Sequence, residues 1–510
     1  MKNKTIYPVL SRVLPLLLAL TLLSSCLSGC GIIVINGGGG STSAPAATTL
    51  PETEDVPEST VPEDTAEDTS APEDTGEVTE EETEETALIK PVVFPSRIEE
   101  AQSRLDALID TIDISDFGMI IVTASDTVDF LFSEEGDPLY AARSNRNAML
   151  FEKYGVEIRT IYSEAVDTDR IYADLSAATS SEVDYYVDLI ALPATRAGGF
   201  LAKGLLKDMR TLPFYDTRSG NDAGNVGNMR YFDLGAGTDT PELIYTVFFN
   251  RTAVGADNVK ALYSAALAGT LGFADLLLAA QSVQGSEADI AVTGNDNGLL
   301  SRKAADLLGI SFITKDRQGV PKLSVSDEDI LALDSYAAGA ATLGYYTQPE
   351  GGADSLEAFI AGKVPFYLGT LSDMALLYDK PVEWGLLPLP SDKGLGAIAD
   401  NRPVICLPEI NSRLEQTSLW LSGFNAASGE WIRDQLLAVS IENHLRDNNS
   451  CLVLNKILLQ DTVIGFSAVY SEYYGGLADA TYLAVGSGDY GAVYKSKLTT
   501  LNKLLAKLPQ

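Results

Sequence analysis

Residues 187–209 read VDLIALPATRAGGFLAKGLLKDM. The first seven are almost wholly apolar and end in proline. A short continuous apolar run of this length fits a strand buried on both faces, as parallel strands are. Upstream, 167–179 reads as a helix and VEIRTIYS (156–163) as a strand. Before them, 138–153 reads as a helix ending at Tyr154-Gly155, and FGMIIVTAS (117–125) as another buried strand. Strand, helix, strand, helix, strand at this spacing is the pattern of a parallel sheet covered by helices on both faces. The fold class is therefore α/β.

Further out the signals continue. Pro95 to Ile112 reads as an amphipathic lead-in helix. Helical patterns dominate 257–284, 298–308 and most of 412–460, and strands are expected at VPFYLG (364–369) and WGLLPLP (384–390). Some 420 residues follow the N-terminal region, more than one core usually holds, so two lobes are expected.

The N-terminal region is of another kind. Lys2, Lys4 and Arg12 precede VLPLLLALTLL (13–23), an apolar run of signal-peptide length and too short to span a bilayer comfortably. Leu27-Ser28-Gly29-Cys30 resembles the lipobox of bacterial lipoproteins. That resemblance implies cleavage after residue 29, acylation of Cys30, and loss of Cys26 with the signal. Acyl chains contribute about 0.8 kcal/mol per buried CH₂, so such a protein is anchored to a membrane without crossing it. Residues 30–89 then form an acidic Thr/Pro/Glu-rich spacer: sixteen Asp and Glu without a Lys or Arg, repeating VPEST, VPEDT and APEDT. Such a segment buries too little to fold and is expected to be a solvated tether. Its threonines leave O-glycosylation open.

Of the formal net charge of −35, −22 falls in residues 90–510. An acidic folded part argues against nucleic acid or an anionic membrane surface as partner. The catalytic inventory is thin. His444 is the only histidine and reads as a surface residue, which nearly excludes His-based triads and His-rich zinc sites. There is no G-x-S-x-G, no P-loop and no G-x-G-x-x-G after a strand. TGNDNG (293–298) has Thr293 where a calcium loop needs Asp and lacks a closing Glu. No metal, cofactor or catalytic residue is expected. Paired carboxylates of a glycosidase stay open on composition alone. Cys406 and Cys451 stand in apolar surroundings and read as buried thiols, although a bridge between them is chemically allowed outside the membrane.

Several motifs, in order, resemble the bacterial extracellular solute-binding proteins of sugar-type ABC transporters, over most of residues 115–510. GDPLYAARSNRNAMLFEKYGVEI (136–158) resembles a segment found in Gram-positive lipoproteins of this class. VDLIALPATRAGGFLAKGLLKDM resembles their third strand and the helix after it. LIYTVFFNRTAV (243–254) resembles their crossover strand, FIAGKVPFYLGTLSDM their F-x-x-G-K-x-A-M segment, and EWGLLPLP a later strand. The resemblance implies a type II periplasmic-binding-protein fold, with two α/β lobes, a hinge and a ligand cleft between the lobes. It implies a binding protein and not an enzyme, and an ABC permease as partner. Crossovers are expected near Thr246–Asn250 and Ser391–Arg402. Lobe 1 is expected over 90–246 plus 400–445, and lobe 2 over 247–399 plus 446–510, in a chain acting as a monomer on the extracytoplasmic face of the cell membrane.

Ligand contacts are expected just past strand ends, where helix N-termini aim N–H groups into the cleft. These are Ser125, Asp126 and Thr127; Thr195 and Arg196; Gly369 and Thr370; and Asp400. Short hydroxyl and carboxylate side chains suit sugar hydroxyls, and Arg196 would suit an anionic group. Asn250 reads as structural. Sugar binders of this class often carry a Trp where this chain has Gly369-Thr370-Leu371. Trp384, Trp420 and Trp431 lie in stretches that read as core, so stacking would fall to residues such as those in YSEYYGG (470–476). The alternatives are an anchored carbohydrate-active enzyme, an adhesin or a ligand sensor.

Overall fold

The computed structural model describes residues 95–507 except 109–113, 115–117, 126–129, 133–136, 157, 162–165, 181–185, 217–224, 284–289, 293–302, 306, 345–353, 392–396, 400–401 and 461–489. Cys30, the signal peptide, the spacer, Asp126, Thr127, Asp400, TGNDNG and YSEYYGG thus lie outside the described residues, as does part of 298–308.

In chain order the strands are β1 (Met119–Thr123), β2 (Ile158–Ile161), β3 (Leu189–Pro193), β4 (Asn225–Val226), β5 (Met229–Arg230), β6 (Phe232–Asp233), β7 (Tyr245–Asn250), β8 (Ile290–Val292), β9 (Ile313–Lys315), β10 (Pro321–Leu323), β11 (Phe366–Thr370), β12 (Trp384–Leu387) and β13 (Pro403–Cys406). The helices are α1 (Pro95–Asp106), α2 (Tyr140–Tyr154), α3 (Thr168–Thr179), α4 (Ala194–Ala202), α5 (Arg251–Val254), α6 (Ala256–Ala268) and α7 (Phe273–Gln281). They continue with α8 (Asp327–Ala341), α9 (Ser355–Ile360), α10 (Asp373–Leu377), α11 (Leu414–Ala427), α12 (Glu430–Asn443), α13 (Asn448–Leu458) and α14 (Tyr490–Leu505). Among the described residues no helix is long and apolar enough to cross a membrane.

The expected elements of the first half form where their local chemistry places them. Asp167 caps α3, its carboxylate accepting from Arg170 N at 2.8 Å. Gly155 closes α2 at φ 65°, a left-handed position that glycine takes without a Cβ penalty, and donates to Phe151 O at 2.7 Å. All five residues of β3 are buried.

The first sheet runs β2-β1-β3-β13-β6. β1, β2 and β3 are parallel, whereas β13 runs antiparallel to β3 and β6. Side chains alternate across it, as the two-residue period of a strand requires. Met119, Ile121, Leu189, Ala191 and Ile405 pack with Trp420 and Phe424 of α11, while Val122, Ile190, Leu192, Val404 and Cys406 join Ile171, Leu175 and Phe200 on the other face. The second sheet runs β12-β7-β11-β8, with β7 antiparallel to both neighbours and β8 parallel to β11.

Two lobes result, each an α/β unit on its own sheet, exchanged by three passages of the chain. The first leads from β6 to β7 and the second from β12 to β13. They run side by side where Ile244 pairs with Ala399 and Tyr245 N donates to Ile398 O at 2.8 Å. The third joins α12, which packs on α1 and α2, to α13, which packs on β12 and α6. This is the type II periplasmic-binding-protein fold.

Candidate functional site

Strand direction locates the site. β13 runs backwards, so its first residue, Pro403, pairs with the last residue of β3, Pro193, and Ala194 N donates to Arg402 O at 2.9 Å. The carboxyl ends of β1, β3 and β6 therefore lie on the edge of the first sheet that the crossovers leave. In the second sheet Thr370, ending β11, pairs with Tyr245, beginning β7, and Leu387 pairs with Val247. The carboxyl ends of β8, β11 and β12 thus also lie on the crossover side. Each sheet presents its carboxyl edge to the crossovers, the place where open α/β sheets bind ligands.

The described expected residues sit on these edges. Ser125 follows β1, and its amide donates to Val166 O at 3.0 Å, tying the end of β1 to the residue before the cap of α3. Thr195 and Arg196 lie in the first turn of α4, directly after β3. Arg196 pairs with Asp169 in the first turn of α3, so the two helix N-termini are tied together. Gly369 and Thr370 are not beyond β11 but its last two residues, because the strand extends to Thr370. Thr370 N donates to Asp373 Oδ2 at 2.9 Å, and its hydroxyl lies 2.7 Å from Ser372 Oγ.

Other expectations resolve as packing. Asn250 is structural, its Oδ1 capping α5 by accepting from Ala253 N at 3.0 Å. All three Trp are buried. His444 is half-buried, its ring edge-on to Tyr378 at 5.9 Å, and burial lowers its pKa. Cys406 and Cys451 are buried and unbridged, and burial pushes both thiols up, Cys451 to about 11. The Arg146-Asn147 pair of the α2 motif acts on the loop after β1. Arg146 donates to Phe130 O at 2.9 Å and Leu131 O at 3.0 Å, Asn147 donates to Leu131 O at 2.8 Å, and the Arg146 guanidinium lies 4.4 Å from the Phe424 ring centre.

The sequence did not reveal the charged joint between the edges. Glu242, in the turn before β7, is buried and ion-paired with Arg143 of α2, with Asp137 3.7 Å from the same guanidinium. Its main-chain oxygen accepts from Ser372 N at 2.9 Å, and Ile244 O accepts from Leu371 N at 3.0 Å. Burial raises the Glu242 pKa and the Arg143 charge opposes that rise. Asp373 is likewise raised by burial, against hydrogen bonds from Thr370 N and Tyr367 OH. The one available signal was Arg143 and Arg146, three apart on one helical face. Glu242, in a Pro-Glu turn, gave none.

No protein-family model matches the chain, and no curated protein matches it. Solved structures resemble it. The GacH receptor of Streptomyces glaucescens is 13% identical with a TM-score of 0.46, over 77% of this chain and 100% of that one. The galacto-N-biose-/lacto-N-biose I-binding protein of the ABC transporter from Bifidobacterium longum, in complex with lacto-N-biose, is 11% identical with a TM-score of 0.49, over 77% and 97%. UgpB from Mycobacterium tuberculosis, in complex with glycerophosphocholine, is 14% identical with a TM-score of 0.47, over 76% and 99%. Likenesses this distant carry no ligand across, and the fold stands on the strand order and crossovers above.

Proposed function

We propose that this protein is an extracytoplasmic solute-binding protein that captures a small solute, a carbohydrate by preference, between its lobes and delivers it to an ABC permease. The observation that carries the reading is the pair of carboxyl sheet edges turned toward shared crossovers. Closing such edges on a solute forms a composite surface that a permease can read. Ser125, Thr195, Arg196, Gly369 and Thr370 supply contacts, with Asp126, Thr127 and Asp400. The moving bodies are 90–246 plus 400–445 and 247–399 plus 446–510. Cys30 carries the lipid, the spacer lifts the domain off the membrane, and the chain works as a monomer without a cofactor or catalytic step.

The test is a thermal-shift screen of the full chain against sugars, glycosides, peptides and polyamines, since a ligand of the folded state stabilises by mass action. A saturable shift supports the reading. Turnover of a glycan, lost on replacing a single Asp or Glu, would favour the anchored enzyme instead. For the anchor, Cys30→Ala should release the protein from membranes.

A further inference from the structure

A cavity lies at the hinge, on the β6 side of the first sheet. It encloses about 570 Å³ and is bounded by all three passages between the lobes. Asp239 comes from the first, Arg402 from the second, and α12 with α13 from the third. Leu234 and Asp239 follow β6, the edge strand of the first sheet. β6 stands three strand spacings from β1, about 14 Å at the usual separation, so the cavity is displaced from Ser125 by that order. Its volume falls in the range of small-molecule sites.

The lining specifies a chemistry. Every guanidinium there is matched. Arg433 pairs with Asp239 at 2.5 and 3.1 Å, Arg97 with Asp434 at 2.7 and 2.9 Å and with Glu430 at 3.3 Å. Arg402 donates to the carbonyls of Leu234, Gly235 and Thr238 at 3.1–3.3 Å. The charges of Arg97, Arg402 and Arg433 are thus offset by those of Asp239, Glu430 and Asp434, so the lining carries no net charge to draw an ionic ligand. Carboxylate oxygens have more acceptor sites than these bonds use and can take hydroxyl donors. Leu234, Leu437 and Leu458 supply an apolar wall. Hydroxyls on one edge and a C–H face on the other describe an uncharged polyhydroxylated ring.

We propose that the hinge cavity is a second ligand site, binding an uncharged polyhydroxylated ring and biasing the angle between the lobes. Residues 234–239 belong to the first lobe, while α13 packs on β12 of the second. An occupant touching both walls binds one lobe angle better than another, and that difference is what shifts a conformational equilibrium. The binding claim is independent of which solute the cleft between the strand edges takes.

The test is isothermal titration of the full chain with myo-inositol and with D-glucose at millimolar concentrations. Leu459 lines the cavity and is 70% exposed, and Asn455 lines it from the exposed side of α13. Leu459→Trp and Asn455→Trp fill the space without entering the core. Leu452→Trp, on the same helix outside the lining, is the control. Wild type and Leu452→Trp should bind at least one probe saturably, and the filled variants about tenfold or more weakly, a loss of about 1.4 kcal/mol. Absence of saturable binding by wild type overturns the proposal. So does undiminished binding by both filled variants, which would assign the probe to the other cleft.

Discussion

Arg143 and Glu242 form a buried ion pair where the chain leaves the first lobe, and the Glu242 carbonyl holds the amide of Ser372 from the second. One residue thus joins both lobes, by its side chain to α2 and by its backbone to the turn after β11. Removing one member of a buried pair strands the other charge. Glu242→Ala should cost about 3 kcal/mol in denaturant unfolding, moderated by Asp137 beside Arg143. Because burial raises the Glu242 pKa above its usual 4.5, its contribution is fully present below that value and is lost as pH rises through the folded one. Over that interval wild type should lose stability relative to Glu242→Gln. Parallel pH profiles would contradict the assignment.

Asp188 organises the start of β3. Fully buried, it accepts from Ile120 N at 2.8 Å, from Tyr186 OH at 2.6 Å and from Arg413 Nε at 3.0 Å. Burial and then the bond to Asp188 push Tyr186 up to about 12. Asp188→Asn should destabilise by about 3 kcal/mol and bring the Tyr186 pKa down toward 10, followed by NMR of ring-labelled tyrosine. An unchanged tyrosine titration would remove Asp188 from the account.

Gly369 sits where a side chain has no room. A Cβ there would collide with Asp373 Oδ2 and stand 2.6 Å from the Tyr367 ring, breaking the turn that presents Thr370. Gly369→Ala should cost about 1–3 kcal/mol by overpacking. Affinity for the solute found by screening should fall with it, whereas Leu376→Ala, at an exposed position on α10, should change neither.

The thiols give a chemical check. Cys406 is fully buried and Cys451 nearly so, and burial disfavours the thiolate that a disulfide reagent needs. Both should resist such a reagent in the native protein and react once it is denatured. Reductant should leave the unfolding temperature unchanged, and a drop would mean that a bridge exists.

The parallel half of the first sheet was legible because apolar runs such as VDLIALP are long enough to carry a signal and are bounded by helix caps. β13 was not: its four residues begin with Pro403, which reads as a poor strand position, and its pairing with β3 spans about two hundred residues of chain. β6, two residues long, has no period to read. For the site, strand ends led to Ser125, Thr195, Arg196, Gly369 and Thr370. The strand expected over 364–369 stops one residue short of the end of β11, because Thr370 stands before Leu-Ser-Asp and looks like the start of a turn. Glu242 and Asp373 escaped because buried acids run against the rule that carboxylates stay in water, and only the three-dimensional partners Arg143, Tyr367 and Thr370 reveal why they do not.

Two sheet edges that close on a solute should draw the lobes together when it binds. Small-angle X-ray scattering of the full chain, with and without a compound that shifts its melting temperature, tests this most directly. A saturable decrease in the radius of gyration that follows the binding curve is expected. A compound that binds tightly and leaves the scattering unchanged, or is chemically converted, would contradict it.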